Sequence, residues 1–235
     1  MNLYFLVEGR STEKKIYPKL VNYFLKVKLR QIDEFYQAEK NDFYLLTANG
    51  YPRIFTNILK NSIIDINSVG NYNYLILCID ADESTIEERQ QELNKYIKKF
   101  KEEEGLEISP NCKIKLVVQD KCIESWFLGN TKIFKANPSN SLLVKYQSYY
   151  NVQLEDPELM PTIDESLTTS NFHYSYLKKM LSERNVRYTK NTPNEVGEHY
   201  YLKELVERNI LTKHLNSFKG FIDLCKEINR KIEAS

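Results

Sequence analysis

Two hundred and thirty-five residues, 27.8 kDa, leave room for one sizeable domain or one domain with an appendage. With 42% apolar and 28% charged residues but only 7 Gly and 7 Pro, the composition excludes disordered, collagen-like and low-complexity classes. Lys plus Arg number 33 against 32 Asp plus Glu, so the net charge of +1 creates no global field toward a polyanion, although a local basic face stays compatible with one.

The run Leu3 to Val7 is apolar and meets Glu8-Gly9, which predicts a buried strand and a turn. It has no basic flank and reaches an acid early, so no secretory signal is expected. From Thr12 to about Lys28, Ile16, Leu20, Phe24 and Val27 recur at the spacing of one helical face. Asp42 to Thr47 predicts a second strand, and Arg53 to Asn61 a helix with Ile54, Ile58 and Leu59 inward. Tyr74 to Ile79 is the longest wholly apolar run. It is far short of the roughly 18 residues of a membrane span and predicts a third, buried strand that stops at Asp80-Ala81-Asp82.

Ser84-Thr85-Ile86-Glu87 has a capping-box pattern and predicts a long helix to about Glu104, held inward by Ile86, Leu93, Ile97 and Phe100. Lys113 to Val118 predicts a fourth strand running into Cys122 to Leu128. The alternation of strand and helix predicts an α/β fold over residues 1–130, a mostly parallel sheet with helices on both faces. After Gly129 the texture changes. Pro138, Pro157 and Pro161 mark an irregular insertion around a helix at Ser141 to Tyr150. Helices at 172–184, 195–209 and 217–232 complete a mainly helical part, 131–235.

Cys78, Cys112, Cys122 and Cys225 form no CxxC pair and are expected to be buried thiols in a reducing cytoplasm. His173, His199 and His214 are too scattered for a zinc-helix motif. In an open α/β sheet the carboxyl ends of the strands form the ligand crevice. Here Glu8 ends the first strand, and Asp80 with Asp82 end the third. Residues two apart on an extended chain point to the same side, so both aspartates are expected to face one point. Clustered carboxylates raise each other's pKa unless a cation relieves them, and oxygen-only ligands favour Mg²⁺ or Mn²⁺. A single acid after a strand is more often a cap or turn residue. The combination across two strands of one sheet is far more specific.

Leu6-Val7-Glu8-Gly9-Arg10-Ser11-Thr12-Glu13, followed by Leu77-Cys78-Ile79-Asp80-Ala81-Asp82, resembles the TOPRIM domain shared by topoisomerases, bacterial primases and OLD-type nucleases. The step from Glu8 to Glu13, Tyr17, and Cys122-Ile123-Glu124-Ser125-Trp126 resemble the small stand-alone bacterial TOPRIM proteins such as RloB. The resemblance covers residues 1–130 and implies a Rossmann-like TOPRIM catalytic domain. It implies that Glu8 is a metal ligand or proton-transfer group and that Asp80 and Asp82 are the metal-binding pair. Glu13 and Glu124 are the further acids of a two-ion site, and Lys190 is a lysine near the scissile phosphate. Cys122 departs from the pattern, standing where OLD-type enzymes often have serine.

Arg10, Lys14 and Lys15 flank the Glu8 turn and are candidate phosphate contacts. Tyr146, Tyr149, Tyr150, Tyr174 and Tyr176 either stack on unpaired bases or pack in the core. No GxxxxGK[ST] phosphate loop is present. The resulting expectation is a cytoplasmic endonuclease, dependent on Mg²⁺ or Mn²⁺ with two ions bound, cutting DNA or RNA, tRNA included. The resemblance adds a role in anti-phage defence beside an ABC- or AAA-type ATPase; no membrane partner is expected, and a homodimer is compatible. The alternatives are a non-catalytic nucleic-acid-binding or adaptor subunit, and a phosphotransferase using Asp80. The latter is disfavoured because two strand–helix units precede Asp80.

Overall fold

Successive side chains of a strand point to opposite faces, so a run that is apolar at every position needs cover on both sides. In the computed structural model, which describes residues 1–234, β1 (Leu3–Val7) is such a run and every one of its residues is buried. It pairs in parallel with β3 (Asp42–Thr47) on one side and β4 (Tyr74–Asp80) on the other. With β2 (Arg30–Ile32) and β5 (Lys113–Gln119) at the edges, the sheet is five-stranded, all parallel, in the order β2-β3-β1-β4-β5. The expected α/β fold with a parallel sheet is therefore present.

Strand β2 escapes the sequence pattern because only Ile32 of its three residues is buried. It is held instead by charge. Arg30 reaches the Asp42 carboxylate with Nε and Nη2, both at 2.9 Å.

Helix α1 (Thr12–Phe24) buries Ile16, Tyr17, Leu20 and Val21, and it stops four residues before the expected Lys28. The stop comes from far along the chain: Asn229 Nδ2 donates to the Phe24 carbonyl at 2.9 Å, and its Oδ1 accepts from Lys26 N at 2.9 Å. The segment expected to be a helix from Arg53 begins as a π-turn at Ile54–Ile58 and continues as α2 (Leu59–Val69). Gly70 ends α2 in the left-handed conformation, φ +76°. Helix α3 (Ile86–Glu104) runs to its expected end and buries Leu93 and Phe100. Ile86 is exposed, however, and Arg89 takes the inward position expected of it.

Beyond β5 come α4 (Ile123–Phe127), α5 (Ser141–Tyr149), α6 (Thr169–Ser182), α7 (His199–Thr212) and α8 (Asn216–Glu233). The chain forms two compact units that differ from a division at residue 130. The first comprises 1–79, 86–118 and 224–234, and the second 80–85 and 119–223. In the second, Trp126 is fully buried against Phe218 and Phe221, with ring centroids 5.1 and 6.0 Å away. All four cysteines are buried free thiols. No described helix is long and apolar enough to cross a membrane.

Candidate functional site

In the first unit, Glu8 follows β1 directly. Its N–H donates to Cys78 O (3.1 Å) and its carbonyl accepts from Gly50 N (2.9 Å), so the ladder continues one residue past Val7 toward both neighbouring strands. Its side chain is half-buried, and Oε1 accepts from Tyr51 N at 3.3 Å. The Glu13 carboxylate lies over Gly9, in the space a Cβ would fill, so a side chain there would make the Glu13 carboxylate shift. Arg10 donates through Nε to Asn49 Oδ1. Lys14 and Lys15 are exposed on the first turn of α1, next to Glu13.

Three residues with no signal in the sequence join this end of the unit. Asn49 (φ +64°) and Gly50 (φ +94°) turn the chain so that Tyr51 meets α3. Its hydroxyl donates to Glu92 at 2.9 Å, and the Arg89 guanidinium lies 4.2 Å from its ring centroid. Arg89 also pairs with Glu92 at 3.1 Å. The hydrogen bond to Glu92 holds the Tyr51 phenol above its ordinary pKa.

The second unit holds the remaining predicted acids. Asp80 is the last residue of β4. Past it, Ala81 N donates to Gln119 O (2.9 Å) and Asp82 N to Lys121 O (2.8 Å). Asp82 and Lys121 both have positive φ, +52° and +68°. The backbone has left the strand conformation at Asp82, so the expected extended-chain geometry, in which Asp80 and Asp82 point the same way, does not hold at Asp82. The Asp82 carboxylate instead accepts from Ser170 Oγ at 2.6 Å. Glu83 bonds Thr169 N and Oγ1, at 2.9 and 3.1 Å, placing a negative charge at the α6 N-terminus.

Glu124, in the first turn of α4, is 1% exposed and accepts from Tyr188 OH at 3.1 Å. Burial, then the charges of Glu124 and Asp80, push the Cys122 thiol well above its ordinary pKa. Cys122, Glu124 and Asp80 thus share one neighbourhood, and the cysteine is an inert thiol rather than a nucleophile there. Behind it, Ser125 Oγ lies 2.9 Å from His173 Nδ1, whose Nε2 lies 2.8 Å from Met160 O. Burial lowers the His173 pKa to about 4, so the ring is neutral, with Nε2 donating and Nδ1 accepting.

Lys190 is exposed, its Nζ 5.7 Å from the Tyr174 ring centroid. Tyr174 packs 5.9 Å from Tyr188, and Tyr188 bonds Glu124. Of the expected base-stacking tyrosines, Tyr146 and Tyr176 are core residues and Tyr174 is half-buried.

Among the described residues, no group of three or more His, Cys, Asp or Glu side chains stands ready to hold a metal ion. The donors of the second unit are carboxylate oxygens, with Asp82 and Glu124 engaged by Ser170 and Tyr188. Carboxylate oxygens are the donor type that Mg²⁺ takes, although the described residues do not gather three of them. Comparison with protein-family models, curated proteins and solved structures finds no match to this chain.

Proposed function

We propose that this chain is a divalent-metal-dependent nuclease acting on DNA or RNA phosphodiesters. The observation that supports it is the junction of two neighbouring parallel strands with acids: β1 runs out into Glu8 and β4 into Asp80. In this reading Asp80, Asp82 and Glu124 of the second unit hold Mg²⁺ or Mn²⁺. Glu8 and Glu13 enter as further ligands through the resemblance to TOPRIM proteins alone. Bound there, the ion would supply Lewis-acid polarisation of the phosphodiester. Through the same resemblance alone, Glu8 would take the proton of the attacking water and Lys190 would add positive charge toward the developing transition state. Ser170 and Tyr188 orient Asp82 and Glu124 by hydrogen bonds, the support that carboxylate ligands ordinarily receive. The role in anti-phage defence and an ATPase partner belong to the same proposal.

Purified protein, with any neighbouring ATPase supplied, is incubated with plasmid, single-stranded DNA and total tRNA in Mg²⁺, Mn²⁺ or EDTA. Cutting that needs the ion and falls at least about a hundredfold in Asp80→Asn and Glu8→Gln is the expected outcome. Binding without cutting, alike in wild type and variants, would leave a nucleic-acid-binding adaptor.

A further inference from the structure

The second unit carries a hollow of about 440 Å³ at the end of α5. Although 28% of the chain is charged, no charged side chain lines it. Phe134, Pro138 and Val144 give it apolar walls. Its polar lining consists of amides and one hydroxyl, from Asn137, Gln147, Ser148, Asn151 and Gln153. Two of the amides are half-buried and fixed by one atom each. Gln147 Nε2 donates to Lys135 O at 3.1 Å, and Asn151 Oδ1 accepts from Gln153 N at 3.0 Å. Each keeps its other atom for a ligand, an acceptor in Gln147 Oε1 and a donor in Asn151 Nδ2.

We propose that this hollow is a site for an adenine base, one that does not depend on the nuclease reading. An acceptor beside a donor matches the 6-amino group of adenine and the ring nitrogen near it, the pairing that Asn and Gln make with this base. Gln147 Oε1 accepts from the amino group, and Asn151 Nδ2 donates to the ring nitrogen. Guanine shows two acceptors on the corresponding edge and suits arginine or lysine, which the lining lacks. A phosphate likewise finds no cation there, so the base is what the hollow recognises. The volume lies in the range of small-ligand sites. The base can arrive on a nucleoside, a nucleotide or an unpaired strand, since all three present the same edge.

Calorimetric titration with adenosine, 5′-AMP and a short oligoadenylate in EDTA reads this site apart from any cleavage. Adenosine is expected to bind saturably, with a Kd of about 1 mM or below. Purine riboside, which lacks the 6-amino group, should bind about tenfold more weakly, the loss of one hydrogen bond. Asn151→Asp keeps the oxygen that accepts from Gln153 N but replaces the donor with a second acceptor, and it should weaken adenosine about tenfold or more. Ser148→Trp fills the hollow from an exposed position on α5 and should abolish binding, with an unchanged melting temperature confirming that the variant folds. Tighter binding of 5′-AMP or of the oligoadenylate than of adenosine, lost in Ser148→Trp, supports the site and assigns its source to nucleotide or strand. Adenosine that fails to bind, binds no better than purine riboside, or binds wild type and both variants alike overturns the proposal. So does tighter binding of maltose or trialanine, which would make the hollow a sugar or peptide site.

Discussion

The two units of this chain are stabilised by different kinds of interior. The first is built on strands whose residues are apolar at nearly every position. Leu3 to Val7 and Tyr74 to Ile79 are all buried. Two of its buried polar groups, Asn2 and Asp42, sit at strand starts, where they tie neighbouring segments together. The second unit buries Glu124, Ser125, Asp156, Glu158, His173, Arg208 and Ser217. Each of these has a hydrogen-bond partner distant in sequence, although the Arg208 Nε is buried without one. Glu158 accepts from Ser217 N and Oγ and from Phe218 N at the start of α8, while Arg208 donates to the carbonyls of Gly129, Val152 and Glu155. An apolar interior tolerates substitutions that keep volume, whereas a satisfied polar interior depends on every member being in place.

The largest effect expected from this contrast is at Trp126, which combines both kinds of contact: it packs on Phe218 and Phe221 and donates from Nε1 to Ser217 Oγ at 2.6 Å. Trp126→Ala is expected to destabilise by about 3–5 kcal/mol in urea melts. Trp126→Phe retains most of the packing and isolates the lost donor, at a cost of about 1–3 kcal/mol. A Phe variant as stable as wild type would show that the polar network behaves as an ordinary apolar core.

Titration probes the polar interior of the second unit next. Burial raises the Glu158 pKa from its ordinary 4.5 to about 7, so its contribution to stability is complete below pH 4.5 and is lost as pH rises through 7. Burial lowers the His173 pKa from 6.5 to about 4, so its contribution is complete above pH 6.5 and is lost as pH falls through 4. Each effect is on the order of 3 kcal/mol. Between pH 4.5 and 6.5 the two slopes oppose, and the wild type is expected to show little net dependence from this pair. Glu158→Gln removes one slope, so its stability should rise with pH across that window, following His173 alone. A flat profile for the variant in pH-resolved denaturant melts would refute the pairing.

The same contrast governs what the sequence makes legible. Strands β1 and β4 are visible because continuous apolar runs need cover on both faces, and the acids at their ends are visible because they interrupt those runs. Helices α5 to α8 follow from periodicity. Strand β2 is invisible because its hold on the sheet is the Arg30–Asp42 ion pair rather than an apolar run. The Tyr51–Arg89–Glu92 cluster is also hidden, since a turn with two positive-φ residues creates it. At the candidate site, the identities of Asp80, Asp82 and Glu124 are legible as chemistry. Their orientation is not. The left-handed turn at Asp82 and the hydroxyls of Ser170 and Tyr188 decide where the carboxylates point.

The smallest effect probes a contact that limits even the well-read unit. Asn229 acts on α1 across 205 residues of sequence, taking the Phe24 carbonyl that the helix leaves open and offering Oδ1 to Lys26 N. Helix periodicity carries on through Val27, so local preference and tertiary capping disagree here and the cap prevails. Asn229→Ala leaves a carbonyl and an N–H without this partner and is expected to cost about 1–2 kcal/mol, the range for a partly buried group that loses its hydrogen bond. Because the apolar face of α1 remains packed, the change should appear as faster amide exchange at Leu25 and Lys26, with Ile16 and Leu20 unaffected. Acceleration spread evenly along α1 would mean that Asn229 stabilises the whole helix and does not set its end.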